Sequence, residues 1–323
     1  MKTTNPTRRS ILAMGIAVAS TSVLGQGAWP TKPITMVIGI PPGLPADVFA
    51  RLYADKLSKA LGQPVIVDNK PGAGGNIAQN AVAKAAPDGH TLLYSVSNSF
   101  VTNPHIYAKL PFNPQTDFAA VGSTVEATAY LIVSNDFPAK SLQEMINLVQ
   151  ANPGKHMYAS YGIGGFPHLV VELISAQGKL NMEHVPYKAG PLPDVVAGRV
   201  PILVEPAGTA LPYIKDGKVR ALGYYGGKRN PETPDVPLIQ EVIKDAYSPT
   251  FHGVWAPSGT PRNVVQRLGE EIAKVNRDPE IIEKLRSFAA EPITMSPAQI
   301  DATVRRESER WSKVIRDKNI KLD

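Results

Sequence analysis

Strand-like and helix-like segments alternate along this chain with turns of only a few residues between them, and that alternation leaves little choice of fold. Ile34–Ile40 is an apolar, strand-like run. Pro45–Leu61 repeats Phe49, Leu52, Tyr53, Leu57 and Leu61 on one helical face and meets Gly62 at its end. Val65–Val67 reads as a strand, Asn76–Ala86 as a helix stopped by Pro87-Asp-Gly89, and Thr91–Val96 as a strand. Strand, helix and strand on short turns imply a parallel sheet flanked by helices.

The order recurs further on. Ser141 with Glu144 marks a helix start. Met157–Tyr161, Met182–Val185, Ile202–Val204 and Val219–Tyr225 read as strands, and Phe166–Ala176 as a helix. Pro237, Pro261, Pro279 and Pro297 fit first helical positions, with Thr260, Asp278 and Ser296 as caps before three of them. Many of the 30 prolines, which are spread along the chain, fall where helices would begin and read as caps and turns. The last helix carries Ile300, Val304, Trp311 and Ile315 on one stripe, as a helix docked on a core does.

A chain of 323 residues exceeds what one core usually organises, so two lobes are expected. With no long linker, the lobes must be joined by short crossings near Val121–Val133 and Phe251–Ala256. The expected plan is an α/β fold of two lobes with parallel or mixed sheets and a cleft between them. Residues 28–125 with 251–323 form the first lobe, and 126–250 the second. Residues 1–27 read as an export signal. Arg8-Arg9 precedes an apolar stretch to Leu24 and small residues at Gly25 and Gly27, resembling a twin-arginine signal cut near Gly27/Ala28. That stretch is shorter than the roughly 20 residues of a membrane span.

The sequence lacks most catalytic chemistry. It has no cysteine, which removes thiol nucleophiles and thiolate metal sites. Its six histidines show no metal-ligand spacing and are read as structural. Gly72-Ala-Gly74-Gly75-Asn-Ile77 lacks the last glycine of a dinucleotide loop, and Ser160 follows Tyr158 where a nucleophile elbow needs glycine. Residues 1–27 hold Lys2, Arg8 and Arg9 and no acid, leaving 31 basic against 28 acidic residues in the remainder. These charges are interspersed, so no nucleic-acid surface is expected. No enzyme activity, cofactor or metal is expected.

Two glycine-bearing turns stand out because each follows a strand and opens a helix. One is Pro41-Pro-Gly43-Leu44-Pro-Ala-Asp47; the other is Ser160-Tyr161-Gly162-Ile-Gly164-Gly165-Phe166-Pro-His168. Each delivers unpaired backbone N–H groups at a helix N-terminus, where the dipole favours an anion. One such turn alone is most simply a connection. One per lobe, aimed at a shared cleft, suits a carboxylate: three or four hydrogen bonds at about 1.5–3 kcal/mol each approach the roughly 8 kcal/mol of micromolar binding.

A series of phrases, in order over nearly the whole chain after the signal, resembles the periplasmic receptors of tripartite tricarboxylate transporters, also called Bordetella uptake gene (Bug) proteins. They include Trp29-Pro-Thr-Lys-Pro-Ile34, Leu61-Gly-Gln-Pro-Val65, Asn69-Lys-Pro-Gly-Ala-Gly-Gly-Asn76 and Ala86-Pro-Asp-Gly-His-Thr-Leu-Leu93. His184-Val-Pro-Tyr-Lys188, Gly217-Lys-Val-Arg-Ala-Leu222 and Ala256-Pro-Ser-Gly-Thr-Pro261 continue the set. The resemblance implies a flytrap of type II-like arrangement that delivers small carboxylates to membrane permease subunits, as a periplasmic monomer. It implies ligand contact by Gly43, Leu44 and Asp47 of the first turn and by Ser160, Gly162, Gly164, Gly165 and His168 of the second. Ser97 and Asn98, and Glu205 to Ala207, follow later strands and join the candidates.

Departures from the family pattern bear on the ligand. Leu44 replaces a usual glycine, Tyr161 and Phe166 stand where smaller residues are common, and Pro201 and Glu205 replace aspartates. The apolar reading expects a flat ligand such as the aromatic dicarboxylate terephthalate; the alternative is that these side chains only pack against the loops. Asp47 suits either helix capping or ligand contact, and His168 is expected neutral. Other outputs remain open at this point: a sensor docking on a membrane kinase, an exported hydrolase using Ser160, or the effector lobes of a transcription regulator.

Overall fold

The computed structural model describes residues 29–188 and 190–322; the signal segment expected over residues 1–27 lies outside them. The chain begins with β1 (Ile34–Ile38), α1 (Pro45–Leu61), β2 (Val65–Asn69), α2 (Asn76–Ala83) and β3 (Thr91–Val96). Two short helices, α3 (Asn98–Val101) and α4 (Asn103–Ile106), lead to β4 (Phe118–Glu126). The chain then crosses into a second sheet with β5 (Ala129–Val133), α5 (Leu142–Ala151), β6 (Met157–Ser160), α6 (Phe166–Gly178), β7 (Glu183–Pro186), α7 (Leu192–Val196), β8 (Ile202–Pro206), α8 (Ala207–Lys215), β9 (Arg220–Tyr225) and α9 (Ile239–Val242). It returns to the first sheet through β10 (Phe251–Pro257) and ends in α10 (Arg262–Val275), α11 (Pro279–Arg286) and α12 (Pro297–Asp317).

The two sheets have the same plan. The first runs β2-β1-β3-β10-β4 and the second β7-β6-β8-β5-β9. In each, four of the five strands run in one direction, and the fourth in the row, contributed just after a crossing, is antiparallel to both neighbours. Helices cover both faces, which is why β1 and β5 are apolar on both sides rather than alternating. In the first lobe Ile34, Met36 and Tyr94 pack under α1 and α10, while Val37, Leu93 and Trp255 pack on the opposite face. The second lobe has a matching pair of clusters around Leu131, Tyr158 and Val204 and around Ile132, Leu203 and Leu211.

The crossings set the geometry of the cleft. β4 is parallel to β3, so Glu126 leaves the first sheet at the edge where β1 and β3 end. β5 begins opposite Pro206, the last residue of β8. The C-terminal ends of the parallel strands in both lobes therefore open on one interlobe cleft. Ala127 N–H donates to the Thr250 carbonyl at 2.8 Å, tying the outgoing and returning crossings together. Glu126 carboxylate accepts from Gly227 N–H at 2.7 Å and from Tyr247 hydroxyl at 2.6 Å. A third piece of chain joins them: Thr128 Oγ1 donates to the Ala289 carbonyl, and Glu126 N–H to that of Glu291. α12 begins with Ile300 in a first-lobe cluster and ends with Trp311, Val314 and Ile315 in a second-lobe one.

Local expectations hold except at two prolines. Gly62 closes α1 in the left-handed conformation at φ 70°, and Asp278 and Ser296 cap α11 and α12 with Pro279 and Pro297 at their first turns. Pro261, however, is itself the cap of α10, so Thr260 sits one place too early; its hydroxyl bonds back to the Pro257 carbonyl. Pro237 precedes the Leu238 cap of α9, because its carbonyl accepts from Tyr224 N–H and holds the segment beside β9.

Where α8 meets the first lobe, a Cβ added to Gly208 would lie 2.6 Å from the Phe288 carbonyl oxygen. Gly208→Ala is thus expected to lower the denaturation midpoint, by about 1–3 kcal/mol of stability, and to alter the solution scattering radius by wedging the lobes apart. An unchanged scattering profile would show that this contact does not set the lobe angle.

Candidate functional site

The first turn is held from within. Gly43 stands at φ +85°, where a side chain would be strained, and its N–H donates to Asp47 Oδ2 at 2.9 Å. Arg51 Nε donates to the same oxygen at 3.0 Å, and Asn69 Nδ2 to Oδ1 at 2.8 Å. Asp47 is buried, which alone would raise its carboxyl; the Arg51, Gly43 and Asn69 hydrogen bonds outweigh that and hold it below the usual range. Both its oxygens are occupied by the protein, so its geometry is that of a brace. Leu44 N–H and Ala46 N–H have no partner among the described residues. Those two point-of-entry amides and the exposed Leu44 side chain are what this turn presents.

Beside them lies a pocket at the ends of β1 and β3, lined by Gly39, Ala46, Gly75, Ser95, Ser99 and His252 among others. Gly39 has to be glycine because Gly75 Cα would lie 2.6 Å from its Cβ. The Gly72–Gly75 loop, set aside in the sequence as a failed dinucleotide motif, thus forms a wall of this pocket. Its place after a strand and before a helix was the available signal. Ser97 and Asn98 fall elsewhere. Ser97 N–H donates to the Phe251 carbonyl at 2.8 Å and its Oγ accepts from Phe251 N–H at 3.2 Å, which staples β3 to β10. Asn98 opens α3, and its carbonyl accepts from Thr102.

The second turn rests on a stack of rings. His168 lies over His184 at 4.1 Å between centroids, and Tyr158 stacks on His184 at 4.8 Å. Gly164 N–H donates to His168 Nδ1 at 3.1 Å. Ser160 Oγ accepts from Gly162 N–H at 3.0 Å and pairs with His184 Nε2 at 2.7 Å. Ser160 is fully buried, a brace within the turn rather than an accessible nucleophile. Burial, with His184 beside it, drives the His168 pKa down to about 4; a charged ring would need a proton on Nδ1 and would displace the Gly164 amide. The N–H groups of Ile163, Phe166 and His168 have no partner among the described residues. Phe166 packs edge-on to Tyr225 at 5.8 Å, on the second-lobe core.

Tyr161 reaches across this lobe to Glu205 at the end of β8. Its hydroxyl lies 2.8 and 2.9 Å from the two carboxylate oxygens, and Thr209 Oγ1 donates to one of them. Glu205 is buried with no cation paired to it among the described residues, and burial pushes its pKa up to about 7 against the pull of the Thr209 and Tyr161 hydroxyls. Ala207 N–H is taken by the Thr128 carbonyl of the crossing, so Ala207 belongs to the hinge. A separate hollow of about 240 Å3 beside the crossings, lined by Glu126, Lys228, Arg286 and Glu291, includes neither turn; Lys228 is ion-paired with Glu291 there.

Six large apolar side chains are exposed among the described residues, and four of them sit on these loops: Leu44 and Ile77 in the first lobe, Tyr161 and Ile163 in the second. Exposed apolar side chains thus flank both glycine turns and the helix N-termini that the turns open. No group of three or more potential metal ligands occurs among the described residues.

Fold and cleft together define a two-lobed solute receptor. The family model described as "Tripartite tricarboxylate transporter family receptor" matches residues 49–320, and the chain belongs to that family, whose members bind substrates and are not enzymes. A Pseudomonas UPF0065 protein, encoded between tcbD and tcbE, is 36% identical over 95% of this chain and 94% of its own. Protein BugT of Bordetella pertussis is 30% identical over 97% and 98%. The solved structure of R. palustris Rpa4515 with adipate superposes with a TM-score of 0.78 at 31% identity, covering 91% of this chain and 99% of that one.

Two outcomes follow from the buried ionisable groups. Asp47→Ala is expected to weaken binding of every carboxylate by a similar factor, because it loosens the turn instead of removing a ligand contact; selective loss for one ligand in calorimetric titrations would place Asp47 against the ligand. His168 is held neutral, so its stabilisation is complete above about pH 6.5 and is lost as pH falls towards about 4, on the order of 3 kcal/mol. Glu205 has the opposite sign: its contribution is complete below about 4.5 and is lost as pH rises through about 7. Denaturation between pH 4.5 and 6.5 should therefore show a steeper acid-side loss in Glu205→Gln and a flatter one in His168→Gln than in the parent chain.

Proposed function

We propose that this protein captures a small carboxylate with an apolar body, an aromatic dicarboxylate such as terephthalate being the best fit, and presents it to the membrane permease subunits of a tripartite tricarboxylate transporter. The observation that carries this reading is the pairing, in each lobe, of unpartnered helix-N-terminal amides with exposed apolar side chains. The amides suit a carboxylate without any cationic side chain. Leu44, Ile77, Tyr161 and Ile163 would be covered when the lobes close on a flat hydrocarbon body. Citrate, polar along its whole length, would leave them facing charge.

The relatives favour a dicarboxylate. Rpa4515 was solved with adipate, and MatC of Rhodopseudomonas palustris, 29% identical with a TM-score of 0.75, with malate. Export by the residue 1–27 signal would put the chain in the periplasm, where a monomer meets its permease. The expected lobes, 28–125 with 251–323 and 126–250, would close about the paired crossings at Ala127 and Thr250.

A thermal-shift screen of the chain from Ala28 onwards, against terephthalate, adipate, malate and citrate, tests the reading. A ligand that binds only the folded state raises the midpoint by mass action. Terephthalate or adipate should give the largest shift and should contract the scattering profile. Equal shifts with citrate and terephthalate would end the apolar preference, and no shift with any of them would end the carboxylate reading.

A further inference from the structure

His252 is the second residue of β10, on the face of the first sheet that packs against α1. It is 7% exposed, stacked on Tyr94 at 5.8 Å and edge-on to Phe49 at 5.6 Å. Buried among those rings it stays neutral, with its pKa driven down to about 4, so it carries one N–H and one lone pair. Neither nitrogen has a hydrogen-bond partner among the described residues, and Nδ1 is wholly enclosed. Buried polar groups are nearly always paired, so an unpaired imidazole on a pocket wall calls for a partner that arrives from outside. Nε2 is the nitrogen that such a partner can reach.

The pocket it lines also holds Ala46, whose N–H is unpartnered at the start of the 17-residue α1, and Ser99, whose hydroxyl accepts from Ser95 and keeps its own proton to give. All three are donors. No lysine or arginine lines the pocket, and its roughly 30 Å3 holds one or two water-sized groups, a water needing about 10–15 Å3. That is room for the oxygens of a carboxylate and no larger group.

We propose that His252 is a ligand-binding residue: it donates Nε2–H to a ligand carboxylate seated in this first-lobe pocket beside Ala46 N–H and Ser99 Oγ. The inference rests on the carboxylate reading above and names where one carboxylate sits. The ligand then selects the Nε2–H tautomer, which leaves a direct signature.

The test is to titrate the chain from Ala28 onwards, with 15N-labelled histidine and backbone, with formate as the smallest carboxylate. His252 ring signals, assigned with His252→Gln, should move saturably to the Nε2–H pattern together with the Ala46 amide. His252→Phe, which keeps the ring stack, should bind formate about tenfold or more weakly, with part of the affinity restored in His252→Gln. If the Ala46 and Phe166 amides respond and His252 does not, the assignment of His252 is overturned while the carboxylate reading survives. If no amide responds, both fall. The ring signals of the parent chain decide the matter even if the Phe variant fails to fold.

Discussion

A parallel strand that feeds a helix ends with its backbone pointing at unpaired N–H groups, and the rest of this molecule is arranged around that constraint. In each lobe three parallel strands end at one edge. The helices that follow start there, and their first amides have no intrahelical partner. A single lobe would leave those donors to water. Two lobes with the same strand order, joined at that same edge, place both sets on one cleft. The crossings at Ala127 and Thr250, held to each other by a backbone hydrogen bond, keep the edges opposed.

The ionisable groups near the cleft have been taken out of electrostatic service. Asp47 is charged but fully occupied by Gly43, Arg51 and Asn69. His168, His184 and His252 are all kept neutral by burial, and the first two hold the second turn through Gly164 and Ser160. Glu205 titrates near neutrality and anchors Tyr161. What these two turns offer from the backbone is therefore a set of helix-N-terminal amides, with the nearby histidines neutral.

Much of this was legible in the sequence. The period of the apolar residues located β1, α1, β3 and α6 to within about two residues, since strands buried on both faces and amphipathic helices have distinct patterns. Both glycine turns were visible because glycine, proline and a following helix signal coincide at Gly43 and Gly164. The ring stack under the second turn was not visible: Tyr158, His168 and His184 come from three separate elements, and only packing brings them together. Ile77 and Ile163 read as ordinary apolar residues because exposure depends on what the other lobe leaves uncovered. The packing role of the Gly72–Gly75 loop, which lets the backbone of Gly75 approach Gly39, depends on a contact that the sequence alone does not show.

What the sequence determined by itself is the set of local instructions: strand and helix periods, the left-handed cap at Gly62, the side-chain caps at Ser141, Asp278 and Ser296, and two turns that a helix dipole makes suited to an anion. These depend on neighbours a few residues apart, so they survive being read in one dimension. Tertiary structure alone decided which groups have partners. Asp47 became a brace, Ser97 a staple and Ala207 part of the hinge, while His252 was left with no partner among the described residues, because hydrogen bonding and burial are settled by residues as far as 154 positions away and by the low dielectric that their packing creates.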